Sequence, residues 1–246
     1  MLKSMLILFV GISSFTFAND EIHVSELYKF KVPVIGKIEV KQNSILNNCY
    51  LSDDIQLDAK TLLIIDISAH YSQVFDNCNR VKYEWNETDE RYETISYDSL
   101  DHDKDINMDD DLSKLRIEKE RVSKRTDVND FQCDVYLTKV FDGDELIAEL
   151  RESYSKKVKN LNKLHEFRKD SGLISPLEFL SVLEDEFMKK IESFSVKSSG
   201  ILIKSDIKFF DSDGDEIVTF SYEVLMAEKK SGTSDVFKSL PENLGY

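Results

Sequence analysis

Cys133–Tyr154, CDVYLTKVFDGDELIAELRESY, and Ser205–Met226, SDIKFFDSDGDEIVTFSYEVLM, share one pattern of strand, acidic turn and strand. Asp142-Gly143 and Asp213-Gly214 supply the dipeptide that tolerates positive φ at a tight turn, the strongest short-range hairpin signal a sequence carries. In the second segment Ile203, Ile207 and Phe209 line one face before the turn, and Val218, Phe220, Tyr222 and Val224 line one face after it. The shared GDE followed by two aliphatic residues fits a duplication, and it equally fits two hairpins whose turns demand the same wording.

Two helical patterns lie between these hairpins. In SPLEFLSVLEDEFMKKIESF, Ser175 is the N-cap, Pro176 sits in the first turn and Glu178 completes a capping box. Leu180, Leu183, Phe187, Ile191 and Phe194 then form an apolar stripe at spacings of three and four. In SKKVKNLNKLHEFRKD, Val158, Leu161, Leu164 and Phe167 recur every third residue among lysines and arginine, which predicts a shorter, basic amphipathic helix. The fold class that follows is α+β: mainly antiparallel β-sheet built from hairpins, with one or two amphipathic helices packed on a face.

Toward the N-terminus, YKFKVPVIGKIEV (28–40) alternates Tyr28, Phe30, Val32 and Val34 against Lys29, Lys31 and Pro33, and period two with a proline predicts an edge strand. TLLIIDISAHY (61–71) contains four consecutive large apolar residues and reads as a central strand buried on both faces. Residues 80–100 read as a hairpin with its polar tip at Asn86–Glu90. The charged stretch from Asp98 to about Asp130 breaks the pattern. Leu112, Leu115 and Val122 are too few apolar positions for a packed helix, so a solvated helix or mobile loop is expected there.

The first eighteen residues, MLKSMLILFVGISSFTFA, place Lys3 before an apolar run and end on Thr16-Phe17-Ala18, the order of a cleavable export signal. The run is too short and too interrupted for the roughly 20 apolar residues a membrane span needs. The expected organisation is therefore a signal peptide at 1–18, a β-rich region at 19–98, a charged linker or loop at 99–130, and a hairpin-helix-hairpin region at 131–246. The two flanking regions form either one domain or two. The mature protein is expected to begin near Asn19, to lie in the periplasm or outside the cell, and to keep no stable membrane anchor. In an oxidising compartment three cysteines predict one disulfide and one thiol. Cys49 with Cys78 is the preferred pair, because both sit beside asparagine-rich turns, and Cys133 reads as a small buried hydrophobe.

Forty-seven acidic against 32 basic residues give a formal charge of −15, which argues against duplex nucleic acid as the main partner and fits a basic protein or bound cations better. The same acidity also serves simply to keep a protein soluble. His23, His70, His102 and His165 stand far apart with no paired spacing, and no GxSxG elbow, glycine-rich phosphate loop or CxxC occurs. In DHDKDINMDDDL, Asp101, Asp103, Asp105, Asn107 and Asp109 match calcium-loop positions 1, 3, 5, 7 and 9, but Ile106 and Leu112 replace the turn glycine and the closing glutamate. A solvated acidic loop is the plainer reading, and no cofactor is implied. The sequence thus points to an exported, acidic, non-catalytic protein of inhibitor or immunity type that binds another protein. The alternatives are a hydrolase with a carboxylate pair and a calcium-responsive module.

Overall fold

A computed structural model describes residues 20–32, 36–60, 66–86, 90–96, 115–171, 200–238 and 240. The strands are β1 (Asp20–Val32), β2 (Gly36–Asn47), β3 (Tyr50–Lys60), β4 (Asp66–Asp76), β5 (Val81–Asn86), β6 (Arg91–Ser96), β7 (Leu115–Val128), β8 (Phe131–Asp142), β9 (Glu145–Ser155), β10 (Ile201–Phe210) and β11 (Glu216–Ser231). The described helices are α1 (Lys159–Asp170), between β9 and β10, and α2 (Asp235–Lys238), after β11. All strands join one antiparallel sheet in the order β6-β5-β4-β3-β2-β1-β11-β10-β9-β8-β7. The chain meanders outward from β1 to β6, resumes at the opposite edge with β7, and meanders back until β11 pairs with β1. Helix is a minor component of this largely β architecture.

The hairpins expected from the Asp-Gly turns are present as β8–β9 and β10–β11, with Gly143 at φ 61° and Gly214 at φ 83°. The hairpin at 80–100 is present as β5–β6, and Val158, just before α1, with Leu161, Leu164 and Phe167 on α1, is buried in the core. Three expectations need correction. Residues 28–40 are not one edge strand: their described part belongs to β1 and β2, which pair with each other at the middle of the sheet, and Pro33 lies outside the described residues. The described part of 61–71 is not a strand buried on both faces, since Ile67 and Tyr71 are half exposed at the start of β4. Residues 115–128 are neither helix nor loop; they form the edge strand β7. The signal at 1–18, the mature start at Asn19, the helix at 175–194 and the acidic loop at 101–112 lie outside the described residues.

Side chains directly opposite on an antiparallel ladder share a face, so the register assigns the core. Phe30 opposes Ile38 on β2 and Phe220 on β11, Phe220 opposes Ile207 on β10, and Ile207 opposes Leu150 on β9. This row and its neighbours form the inner face, where Phe30, Ile207 and Leu150 are buried and α1 packs over β1 and β11. At the seam where the two meanders meet, Tyr28 stacks on Tyr222 at 5.1 Å and Phe30 on Phe220 at 4.7 Å. Each such pair adds about 0.5–1.5 kcal/mol beyond its buried area. The opposite face carries charged ladders such as Lys29 with Glu39 and Lys208 with Glu216. Near β3 it also carries α2, held by the Ser234 amide donating to Glu21 at 2.7 Å and by Phe237 against Tyr50.

Candidate functional site

The inner face between β1 and β5 has two contrasting ends. At one, α1 is tied to the sheet by buried charge. A four-residue spacing from Leu164 puts Arg168 on the helix's apolar stripe, facing the sheet. Glu26 sits in phase with Ile22, Val24, Tyr28 and Phe30 across β2, and Asp53 in phase with Leu51 and Ile55. Arg168 Nη2 donates to Glu26 Oε2 at 2.8 Å and to Ser44 Oγ at 2.9 Å, and lies 3.8 Å from Asp53 Oδ1. Ser44 Oγ donates to Asp53 at 2.6 Å, and Tyr222 Oη donates to the other oxygen of Glu26 at 2.8 Å. Ser171, just past α1, donates to Asn77 Oδ1 at 2.7 Å, and the Asn77 amide donates to the Cys49 carbonyl at 2.9 Å. The Cys49–Cys78 disulfide joins the turn after β2 to the turn after β4 at this same end.

Burial opposes the charge on Glu26, but the Arg168 guanidinium and the hydrogen bonds from Arg168 and Tyr222 outweigh it and hold the carboxyl below its ordinary range. Burial pushes the Tyr28 and Tyr222 phenols up, reinforced by the negative charge of Glu26. One guanidinium among two carboxylates is a closed arrangement, with donors and acceptors turned toward each other rather than toward solvent.

A second buried carboxyl, Glu152 on β9, lies 3.6 Å from Lys119 Nζ, which also rests over the rings of Tyr136 and Tyr154. Burial raises its pKa against the opposing pull of Tyr154 and Lys119. Glu26 and Glu152 thus shift in opposite directions, as an acid–base pair would. Three strand spacings separate β1 from β9, on the order of 14 Å along the sheet, so they do not form one cleft.

The other end is open. β4 pairs with β3 along its whole length, Tyr50↔Asp76 through Lys60↔Asp66, but with β5 only from Gln73↔Glu84 to Asp76↔Val81. Beyond Gln73 the two strands part. An open hollow of about 700 Å3 lies there, lined by Leu57, Asp58, Ala69, His70, Tyr71 and Trp85 among others. Ile67, Tyr71 and Trp85 are 51%, 47% and 42% exposed. Acidic groups rim this end: Asp54 meets His70 Nε2 at 2.6 Å, and Asp58 accepts from the Ser68 hydroxyl.

Of the residues singled out in the sequence, Cys49 and Cys78 are bonded, and Asp101, Asp103, Asp105, Asn107 and Asp109 lie outside the described residues. Cys133 is buried with its thiol pKa pushed up to about 11 by burial, then by Asp127 and Asp134, which makes it a poor nucleophile. No group of three or more His, Cys, Asp or Glu among the described residues is arranged to hold a metal ion. No described helix is long and apolar enough to cross a membrane. Arg168, Glu26, Asp53 and Trp85 were not singled out from sequence; the signal for the first three was a charge in phase with an apolar stripe.

No family model matches the chain, and no curated protein matches its sequence. Among solved structures, it is similar to a LolA superfamily protein from Nitrosomonas europaea, at 10% identity over 93% of each chain with a TM-score of 0.27. It is also similar to a putative outer membrane lipoprotein-sorting protein domain from Vibrio parahaemolyticus, at 8% identity over 89% of this chain and 88% of that one, with a TM-score of 0.22.

Proposed function

We propose that this is an exported, non-catalytic protein that works by binding a basic partner protein at the hollow where β4 and β5 part. The observation that carries this reading is the half-exposure of Tyr71 and Trp85, which line one hollow from the two faces of the sheet, with Ile67 half exposed farther along β4 on the face of Tyr71. Apolar side chains scattered singly need no explanation, whereas a clustered patch with a polar rim marks an interaction site. The acidic rim and the net charge of −15 favour a basic partner and speed its approach. Export is supported by the signal-like N-terminus and by a disulfide that an oxidising compartment preserves.

The test is affinity purification of the tagged protein from its native host, beside an Ile67→Ser/Trp85→Ser variant. A basic protein recovered in stoichiometric amount with the parent and lost with the variant is expected. The reading fails if no stoichiometric protein co-purifies, or if the variant retains it.

A second reading is favoured by one further observation: the inner face runs without a charged interruption from Ile55 through Leu57 and Ala69 to the open edge, a strip suited to an apolar chain. In that case the cargo is a lipid or lipid-bearing group. Solvent extraction of the same preparation followed by mass spectrometry separates the two, since the second reading expects stoichiometric lipid.

A further inference from the structure

Two acceptors on the inner face of β8 and β9 are buried without a hydrogen bond. Thr138 on β8 is fully buried and Glu152 on β9 is 1% exposed, and among the described residues neither Thr138 Oγ1 nor Glu152 Oε2 has a hydrogen-bond partner. Leaving a buried acceptor unmet is costly, so native proteins rarely do it without a reason. Lys119 reaches toward both from β7. Its Nζ stands 3.6 Å from Glu152 Oε2, close enough for attraction and beyond hydrogen-bonding distance. The same Nζ lies 5.1 Å from the centre of the Tyr136 ring and 5.5 Å from that of Tyr154, within cation–π range of each. The two rings meet edge-on at 6.0 Å and 78°. The register assembles the group: Thr138 opposes Lys119 across the β7–β8 ladder, and Tyr136 opposes Glu152 across β8–β9.

We propose that Glu152, Tyr136, Tyr154 and Thr138 form a binding site for an alkylammonium group, a lysine side chain or a free amine, and that Lys119 holds its place until the ligand displaces it. A carboxylate beside tyrosine rings selects a cation. Lys119 supplies the charge and leaves the acceptors unmet. An incoming ammonium carries three donors and is not tied to β7, so it settles at hydrogen-bonding distance from Glu152 Oε2, with Thr138 Oγ1 on the neighbouring rung as a second acceptor. One ammonium replaces another, so no proton moves and the charge of the site is unchanged. β7 is the element that yields. None of its 14 residues is buried, and its pairing with β8 slips at two places beyond Arg121. A strand with so few buried contacts opens at low cost. The site lies on the other half of the sheet from the hollow between β4 and β5, so it goes beyond the basic-partner reading and does not depend on it.

The test titrates n-butylammonium into the full mature chain and into Lys119→Met, at constant ionic strength, with n-butanol as the neutral control and the melting temperature as readout. Met keeps an unbranched stem over the rings and removes the competing charge. A saturable rise with the amine and none with the alcohol is expected in Lys119→Met. The parent should need about tenfold or more amine, because apparent affinity falls with the fraction of molecules in which the site is vacant. Adding Glu152→Gln to Lys119→Met should abolish the response. In the parent, hydrogen exchange at the amides of 115–121 should quicken as the amine displaces Lys119, a measurement that stands even if Lys119→Met does not fold. A glycine-lysine-glycine peptide with blocked ends separates the two sources: a response to it supports a protein's lysine, and a response to butylammonium alone supports a free amine. The inference is overturned if amine and alcohol act alike, if parent and Lys119→Met respond at the same concentration, or if exchange in β7 is unchanged by saturating amine.

Discussion

The two ends of the inner face use opposite strategies for polar chemistry. At the clamped end Arg168, Glu26, Asp53, Ser44 and Tyr222 are buried and satisfy one another, and a disulfide pins the adjoining turns. At the open end Ile67, Tyr71 and Trp85 are half exposed where β4 and β5 part. Groups satisfied internally hold a structure together, whereas exposed apolar groups gain only when something else arrives. The comparison teaches that the charge-rich cluster at the clamped end is architectural, and that the binding site proposed at the hollow lies in a region with little buried charge. It yields different expectations for stability and for binding at each end.

The largest effect is expected at Arg168. Replacing it with Met leaves Glu26 and Asp53 buried beside each other without a cation, and breaking a buried pair by removing one partner costs about 3–5 kcal/mol. Urea denaturation of Arg168→Met measures this. Removing the orphaned charge as well, in Arg168→Met/Glu26→Gln, should recover part of the loss, because much of the cost is the unpaired carboxylate. If Arg168→Met is neutral, the clamp is not what holds α1 to the sheet.

A smaller effect is expected in acid. The folded-state pKa of Glu26 is lowered, so its stabilising contribution is complete above the ordinary carboxylate value and is lost as pH falls through the lowered one. Glu152 has the opposite sign: its pKa is raised, so its contribution is present at low pH and is lost as pH rises through the raised value. Glu26→Gln should therefore flatten the acid limb of stability against pH, measured by denaturation at a series of pH values. Glu152→Gln should leave the acid limb in place and flatten the decline above it. Identical acid limbs in the parent and Glu26→Gln would remove the buried ion pair from the account of acid sensitivity.

Much of this architecture was legible because local chemistry dictates it. Asp142-Gly143 and Asp213-Gly214 mark turns whatever surrounds them, and Val158, Leu161, Leu164 and Phe167 mark a helix face. What escaped depended on neighbours far along the chain. β7 reads LRIEKERVSKRTDV, without apolar alternation, because an edge strand beside a charged outer face needs none; its inward Lys119 finds Glu152 and two tyrosine rings. Pro33 suggested an edge, but β1 is central, because β11 arrives from nearly two hundred residues away. The clamp joins Arg168 to Glu26 across 142 positions. No motif links them. Each nevertheless stands in phase with an apolar stripe, and a charge in that position demands a buried partner.

The smallest effect on stability is expected at the open end, where the largest effect on binding is also expected. Ile67 and Trp85 are roughly half exposed, so truncating either removes little buried area, and Ile67→Ser or Trp85→Ser should change stability by no more than about 0.5 kcal/mol. Trp85 is the chain's one tryptophan and lies edge-on to Tyr92 at 5.2 Å, so its fluorescence reports this end alone. In the free protein a soluble quencher should reach it readily, and the basic protein recovered with it should shield it. In Ile67→Ser, which keeps the reporter, shielding should need more partner while the urea midpoint stays in place. In Arg168→Met the reverse is expected: the urea midpoint falls, and the partner concentration that half-shields Trp85 is unchanged under conditions where the protein is folded. If Ile67→Ser lowers stability as much as Arg168→Met does, the open end is part of the core, and the division of the inner face into a structural end and a binding end is lost.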